Sequence, residues 1–204
     1  MKLNRLCCLV LAMMLWVAAS ALADHPNDHP SEHPTDQAAE MEAWLAAGTP
    51  GEVHAFLATK AGSWTVENKM WMDPRGEPTV SENTATFEMM MGGRFLVESV
   101  SGMTMGMPFE GMNITGFNNT TSEMTSVWYD NMGTVTTVLS GAYENIGEPM
   151  VLTGTTMDPL AGMEVKIRTV TTYVSDDETL FEYFVTSGTG DEMKMMELRY
   201  KRDK

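Results

Sequence analysis

From Gly62 onward, threonine, valine and aromatic residues alternate with polar ones in runs of about eight to twelve residues. This period of two predicts strands near residues 63–72, 79–91, 94–101, 110–118, 122–130, 134–143, 150–157, 163–174, 179–187 and 193–202. Turn signals separate them, among them Asp73-Pro74-Arg75-Gly76, Gly92-Gly93, Asn118-Asn119, Asn131-Met132-Gly133, Asn145-Ile146-Gly147, Asp158-Pro159 and Ser175-Asp176-Asp177. Connections this short join antiparallel neighbours, so the strands form a meander. Left open, such a meander exposes two long edges, and closure removes them. The expected fold is therefore all-β, a closed antiparallel up-and-down barrel of about ten strands over residues 61–204.

The pattern before Gly62 is helical. Residues 36–60 read as two short helices. The first has Asp36 at its cap and Met41, Trp44 and Leu45 on one face. Gly48-Thr49-Pro50-Gly51 ends it, and a second helix from about Glu52 to Lys60 brings Val53, Phe56 and Leu57 together. His54 lies on that helix as a surface or half-buried residue.

Residues 24–35 read as an extended linker made of three acidic-His-Pro-x tetrads: Asp24-His25-Pro26-Asn27, Asp28-His29-Pro30-Ser31 and Glu32-His33-Pro34-Thr35. The prolines forbid a helix and no apolar side chain is present to bury. Residues 1–23 read as a signal peptide, with Lys2 and Arg5 before an apolar run and Ala21-Leu22-Ala23 as the small-x-small cleavage site. An uncleaved anchor is the alternative, although the run is barely long enough to span a bilayer.

Composition sharpens this picture. The chain has 204 residues, enough for one domain, and 43% of them are hydrophobic, enough for a core. It carries 13 basic and 28 acidic residues, a net charge of −15, and loss of the leader with Lys2 and Arg5 takes this to −17. Such a charge excludes nucleic acid and anionic membrane surfaces as partners. Cys7 and Cys8 both lie in the leader, so the mature chain has neither a disulfide framework nor thiol chemistry. The expected destination is periplasmic or secreted, with no stable membrane insertion after cleavage and stability drawn from the core alone.

Register arguments point to candidate sites. A hairpin at Gly92-Gly93 sets Met90 opposite Phe95, Met89 opposite Leu96, Glu88 opposite Val97 and Phe87 opposite Glu98. Each face then carries apolar residues and one carboxylate, which suits a barrel with a partly polar lumen better than a sheet dry on one side. A loop at Ser175–Glu178 pairs Tyr173 with Leu180, Thr171 with Glu182 and Thr169 with Phe184. Glu182 then shares a face with Tyr173 and Ile167, with Glu197 directly opposite it. Facing carboxylates repel unless they share a proton, hold a cation or are answered by a base such as Arg199.

Methionine is abundant, at 21 residues, and Met103-Thr104-Met105-Gly106-Met107 sets alternating thioethers in a glycine-rich loop. Soft thioethers suit Cu(I), and the imidazoles of His25, His29 and His33 suit Cu(II), Ni(II) or Zn(II). The bland alternatives are a loop closing the barrel mouth and a polar spacer.

From about Pro50 to Arg202 the chain resembles the bacterial domain-of-unknown-function family numbered 1579. The resemblance rests on Gly62-Ser63-Trp64, Met103 to Gly111, Gly116-Phe117-Asn118-Asn119, Trp128 to Thr134, Asp158 to Gly162, Phe181-Glu182, Glu192 to Glu197, Tyr200 and Arg202. It implies a lipocalin-like (calycin-type) barrel and no established activity or ligand. In such barrels a Gly-x-Trp on the first strand is covered by an arginine from the last, a structural plug that Trp64 with Arg199 or Arg202 would supply here.

Three functions follow as expectations. The first is non-catalytic binding of a small, partly apolar molecule in the lumen, with Trp128, Asp130, Glu182 and Glu197 as polar or stacking contacts and Met105 and Met107 at the entrance. The second is copper handling by the methionine loop and the histidine arm. The third is a hydrolase or isomerase built on a carboxylate pair such as Glu182 and Glu197, since no nucleophile elbow, zinc-type His spacing or phosphate loop occurs. The residues specify no cofactor.

Overall fold

Ten strands follow two helices in the computed structural model, which describes residues 34–158, 162–188 and 190–204. The helices are α1 (Pro34–Gly48) and α2 (Glu52–Ala58). The strands are β1 (Gly62–Met70), β2 (Thr79–Met90), β3 (Phe95–Thr104), β4 (Met107–Asn118), β5 (Glu123–Asp130), β6 (Thr137–Ala142), β7 (Met150–Asp158), β8 (Met163–Ser175), β9 (Glu178–Ser187) and β10 (Met193–Arg202). Every strand pairs antiparallel with its sequence neighbours, and β1 pairs β10 from Trp64↔Arg202 to Met70↔Met196, so the barrel is closed. This is the all-β up-and-down architecture that the alternation predicts. The chain divides into two units, residues 1–38 and 39–204, and of the first only the opening of α1 is described.

The proposed leader, the three histidine tetrads up to His33, and Pro159 to Ala161 lie outside the described residues. Two helix expectations need correction. α1 begins at Pro34, inside the expected linker, because proline is well suited to a first helical position; Asp36 therefore lies within the helix. Its Met41, Trp44 and Leu45 are all more than half exposed.

α2 plugs one end of the barrel. Leu57 is fully buried, and Val53 and Phe56 pack beside it against Leu96, Met124, Leu139, Leu152 and Ile167. His54 is buried, not superficial: its Nδ1 accepts from the Gly51 amide at 3.1 Å and caps the helix. Burial holds its pKa below the ordinary value.

The chain then enters β1 through a knot of interactions. Trp64 Nε1 donates to the Lys60 carbonyl at 3.0 Å, and the Arg202 guanidinium lies 4.2 Å from the Trp64 ring centroid. Arg202 also donates to the carbonyls of Thr59 and Ala61, each at 2.7 Å. Gly62 has φ +127°, and a Cβ there would stand 3.0 Å from Arg202 Nη1, so glycine is required by both backbone and space.

The methionine segment is not a loop. β3 and β4 extend through it, pairing Met103 with Pro108 and Thr104 with Met107, and only Met105-Gly106 forms the turn. Both turn residues have positive φ (51° and 77°), as a two-residue hairpin of this twist needs.

Candidate functional site

Alternation along the strands sends one face of each inward, and the inward faces do not fill the centre. They surround a cavity of about 470 Å³. At the plugged end its floor is Leu57, Lys60 and Trp64; toward the other end lie Met70, Thr104, Met105, Asp130 and Met132. Most of the wall is apolar, with Phe87, Leu96, Val100, Phe109 and Leu198 among its members. A volume in the few-hundred Å³ range is that of a small-molecule site.

The polar groups in this wall are few and organised. The register at Gly92-Gly93 is the expected one, and it places Glu98 on the inner face with Phe87 and Leu96. Glu98 is 6% exposed. Its Oε1 accepts from the Tyr200 hydroxyl at 2.8 Å, and the Asn113 amide also donates to the carboxyl. Asn113 is held in turn by Ser126, whose hydroxyl donates to its Oδ1 at 2.7 Å. Burial without a countercharge raises the Glu98 pKa to about 7, against the pull of these two donors. Burial and the neighbouring carboxyl push the Tyr200 phenol well above its ordinary value, so it stays a donor.

Two further polar residues line the cavity, each short of a hydrogen-bond partner. Asn68, 5% exposed, has no hydrogen-bond partner for its Oδ1. Lys60, 6% exposed, sets its ammonium 5.0 Å from the ring centroids of both Phe56 and Tyr173. Among the described residues no acceptor bonds it. Burial lowers its pKa, Asp176 partly offsets this from a distance, and Arg202 adds to it.

The structure separates the sequence candidates. Trp128 and Asp130 do line the cavity. Trp128 lies over Gly111, where a Cβ would come within 2.5 Å of the indole, and stacks on Phe109 with centroids 6.3 Å apart. Its Nε1 donates to Asp130 Oδ2 at 2.7 Å, and Asp130 Oδ1 accepts from the Met132 amide at 2.9 Å. The pair therefore offers ring surface while its polar atoms satisfy one another. Met105 lines the cavity; Met107 does not, and Met103 points outward by strand alternation. The three thioethers do not share a face.

Glu182 and Glu197 are opposite one another as expected, but on the outer wall. A bulge between Tyr173 and Ser175 shifts β9 by one residue, so Tyr173 pairs with Thr179 and Glu182 with Val170. Thr179, Phe181 and Tyr183 face inward instead. Lys194 Nζ bridges the two carboxylates at 3.0 and 2.7 Å, and Lys69 reaches Glu197 at 3.3 Å. Arg199 does not answer them; it pairs with Glu178. The carboxylate pair is thus an ion-paired surface feature, not an acid–base centre in the lumen. In the plug, the arginine over Trp64 is Arg202 and not Arg199.

Glu98, Tyr200, Asn113, Asn68 and Lys60 are the groups that residue-level reasoning did not select. The Glu98 position was derivable from its register, since the same alternation puts it between apolar neighbours. Lys60 had no such signal, because a lysine at a helix end is ordinarily solvated.

The class defined by this geometry is a closed ten-stranded barrel around a mostly apolar cavity with a buried carboxyl in its wall. Residues 49–202 match the family described as "Protein of unknown function (DUF1579)", and the chain belongs to that family. No curated protein matches it. Among solved structures it is similar to Rv2717c from M. tuberculosis, at 14% identity and TM-score 0.54, over 76% of this chain and 100% of that one. It is also similar to a redesigned beta barrel, at 13% identity and TM-score 0.40, over 72% of this chain and 95% of the other. The first likeness shows a shared fold; the second is too weak to argue from.

Proposed function

We propose that this chain is an exported binding protein that holds a small, partly apolar molecule inside the barrel and performs no chemistry on it. The observation that carries this reading is the cavity of about 470 Å³, apolar over most of its wall and interrupted by a few convergent polar groups. A core meant only for packing is filled to near-crystalline density, and voids of this size are rare in it. An unsatisfied Asn68 oxygen in the wall costs about 1–3 kcal/mol while no donor reaches it. Export is supported by the leader pattern of residues 1–23 alone.

The test is direct. Protein purified natively is extracted and the extract analysed by mass spectrometry. Emptied protein is then titrated with N-phenyl-1-naphthylamine, an uncharged apolar fluorophore, and scanned by thermal shift. A co-purifying small molecule, or saturable binding that raises Tm, is expected. Absence of both defeats the reading.

A further inference from the structure

The floor of the cavity holds an unusual group. Lys60 is almost completely buried at the closed end, directly below the apolar wall, and its ammonium has two ring faces and no oxygen near enough to bond it among the described residues. An ammonium has three donors, and cation–π contacts satisfy its charge only in part. The nearby guanidinium of Arg202 is only a donor and offers it no acceptor. Arg202 is itself committed to the carbonyls of Thr59, Ala61 and Asp176 and to the Asp177 carboxylate. The cation thus stands at the closed end of a mostly apolar cavity, with two ring faces beside it and Asp176 acting only from a distance. With no acceptor bonding it among the described residues, it is suited to pair with an anion that a ligand brings.

We propose that the cavity receives an apolar monocarboxylate head-down, with the carboxylate on Lys60 Nζ and the hydrocarbon chain running up the lumen past Leu96 and Val100 toward Met105. The inference rests on the cavity being a ligand site. Burial lowers the Lys60 pKa, while the two ring faces and Asp176 favour its charged form; the aldehyde arm of the test distinguishes ion pairing from imine formation. The chain's overall negative charge does not oppose it strongly, because outer-wall carboxylates are screened over about 8 Å at physiological salt. Glu98, the buried carboxyl of the lumen wall, has its pKa raised to about 7 and so does not repel the ligand strongly in mildly acidic solution.

The experiment is a competition assay at about pH 6 against N-phenyl-1-naphthylamine, using dodecanoate, 1-dodecanol and dodecylammonium on the wild type, Lys60→Met and Lys60→Arg. Methionine keeps an unbranched stem between Phe56 and Tyr173, and circular dichroism with thermal unfolding establishes that each variant is folded. Dodecanoate should bind the wild type more tightly than dodecylammonium. Lys60→Met should weaken dodecanoate by about tenfold or more while leaving 1-dodecanol within about threefold, and Lys60→Arg should retain most of the affinity. Equal dodecanoate affinity in wild type and Lys60→Met, or dodecylammonium binding as tightly as dodecanoate, overturns the proposal while 1-dodecanol binding keeps the cavity reading intact. Borohydride trapping of dodecanal on Lys60 without a preference for dodecanoate overturns it in favour of imine chemistry. If none of the three compounds displaces the bound fluorophore, the monocarboxylate proposal fails while the cavity reading, carried by the fluorophore's own saturable binding, stands; a fluorophore that does not bind removes both.

Discussion

Replacing Glu98 by glutamine removes an ionisable group from the barrel interior while keeping its size and an oxygen for the Tyr200 hydroxyl. In the native state the Glu98 pKa is about 7, against an ordinary 4.5. Between those values the folded chain binds this proton more tightly than the unfolded chain, so the group's contribution to stability falls as pH rises through that window. At about 1.4 kcal/mol for each tenfold difference in proton affinity, the loss is of the order of 3 kcal/mol by pH 8. His54 acts with the opposite sign, since burial lowers its pKa below 6.5 and stability rises as pH climbs toward that value. His54 is present in both proteins, so the difference between wild type and Glu98→Gln isolates the carboxyl.

The assay is urea unfolding of both proteins at several pH values from about 4.5 to 8. A fixed offset from the new amide beside Asn113 is expected, and it does not vary with pH. On top of it, glutamine should gain about 3 kcal/mol on the wild type across the window, or roughly 6–12 °C in Tm for a chain of this length. A difference that stays flat across the range refutes the argument, because it means that Glu98 ionises at its ordinary pH and is solvated.

Three further outcomes follow from the geometry. Arg202→Met keeps an apolar stem over Trp64 but strips the charge-assisted bonds to Thr59, Ala61 and Asp176, and should cost about 2–3 kcal/mol in urea unfolding; a loss below about 0.5 kcal/mol would contradict the plug. Gly141→Ala introduces a Cβ 2.3 Å from the Val151 carbonyl oxygen, where β6 and β7 pair only from Val138↔Thr155 to Ser140↔Thr153. It should destabilise by about 1–3 kcal/mol and raise amide exchange in β6 first, and unchanged exchange there would count against so close an approach. Lys194→Met leaves Glu182 and Glu197 facing each other, so the Glu197 pKa, now held down chiefly by Lys194, should rise in a carboxyl NMR titration. The stability loss should be at most about 1 kcal/mol and should shrink in high salt; a pKa that does not move would show that Lys69 alone holds it.

Much of the barrel was legible because two independent signals agreed at each point. A period of two marks a strand, and Gly, Asn or Asp-Pro marks its end, so ten strands emerge close to their observed bounds. The site was legible only where a tight turn pinned the register. Gly92-Gly93 did so, and the faces of β2 and β3 came out right, Glu98 included. Lys60 was not legible at all. Its burial comes from packing of α2 across the barrel end against Tyr173, a residue more than a hundred positions away, and no local pattern encodes that contact.

The misplacement of Glu182 has a single physical cause. Ser175 pairs with Glu178 around a two-residue turn, as the Ser175-Asp176-Asp177 signal suggests, and if the ladder continued without interruption Tyr173 would meet Leu180. Val174 is instead left out of the ladder, and from there every partner moves by one. Because side chains alternate with a period of two, one extra residue exchanges the inner and outer sets of the strand beyond it: Thr179, Phe181 and Tyr183 turn inward, and Leu180, Glu182 and Phe184 turn outward. The outer position of Glu182 is corroborated by its neighbours. Lys194 pairs with it, and Arg168 lies 4.1 Å from the ring of Phe184 on the same face. β9 carries apolar residues at both parities, Leu180 and Phe184 on one and Phe181 and Tyr183 on the other, so its hydrophobic pattern could not choose between them. The bulge keeps Glu182 out of the lumen, whose wall carries Asp130 and the buried Glu98 from other strands.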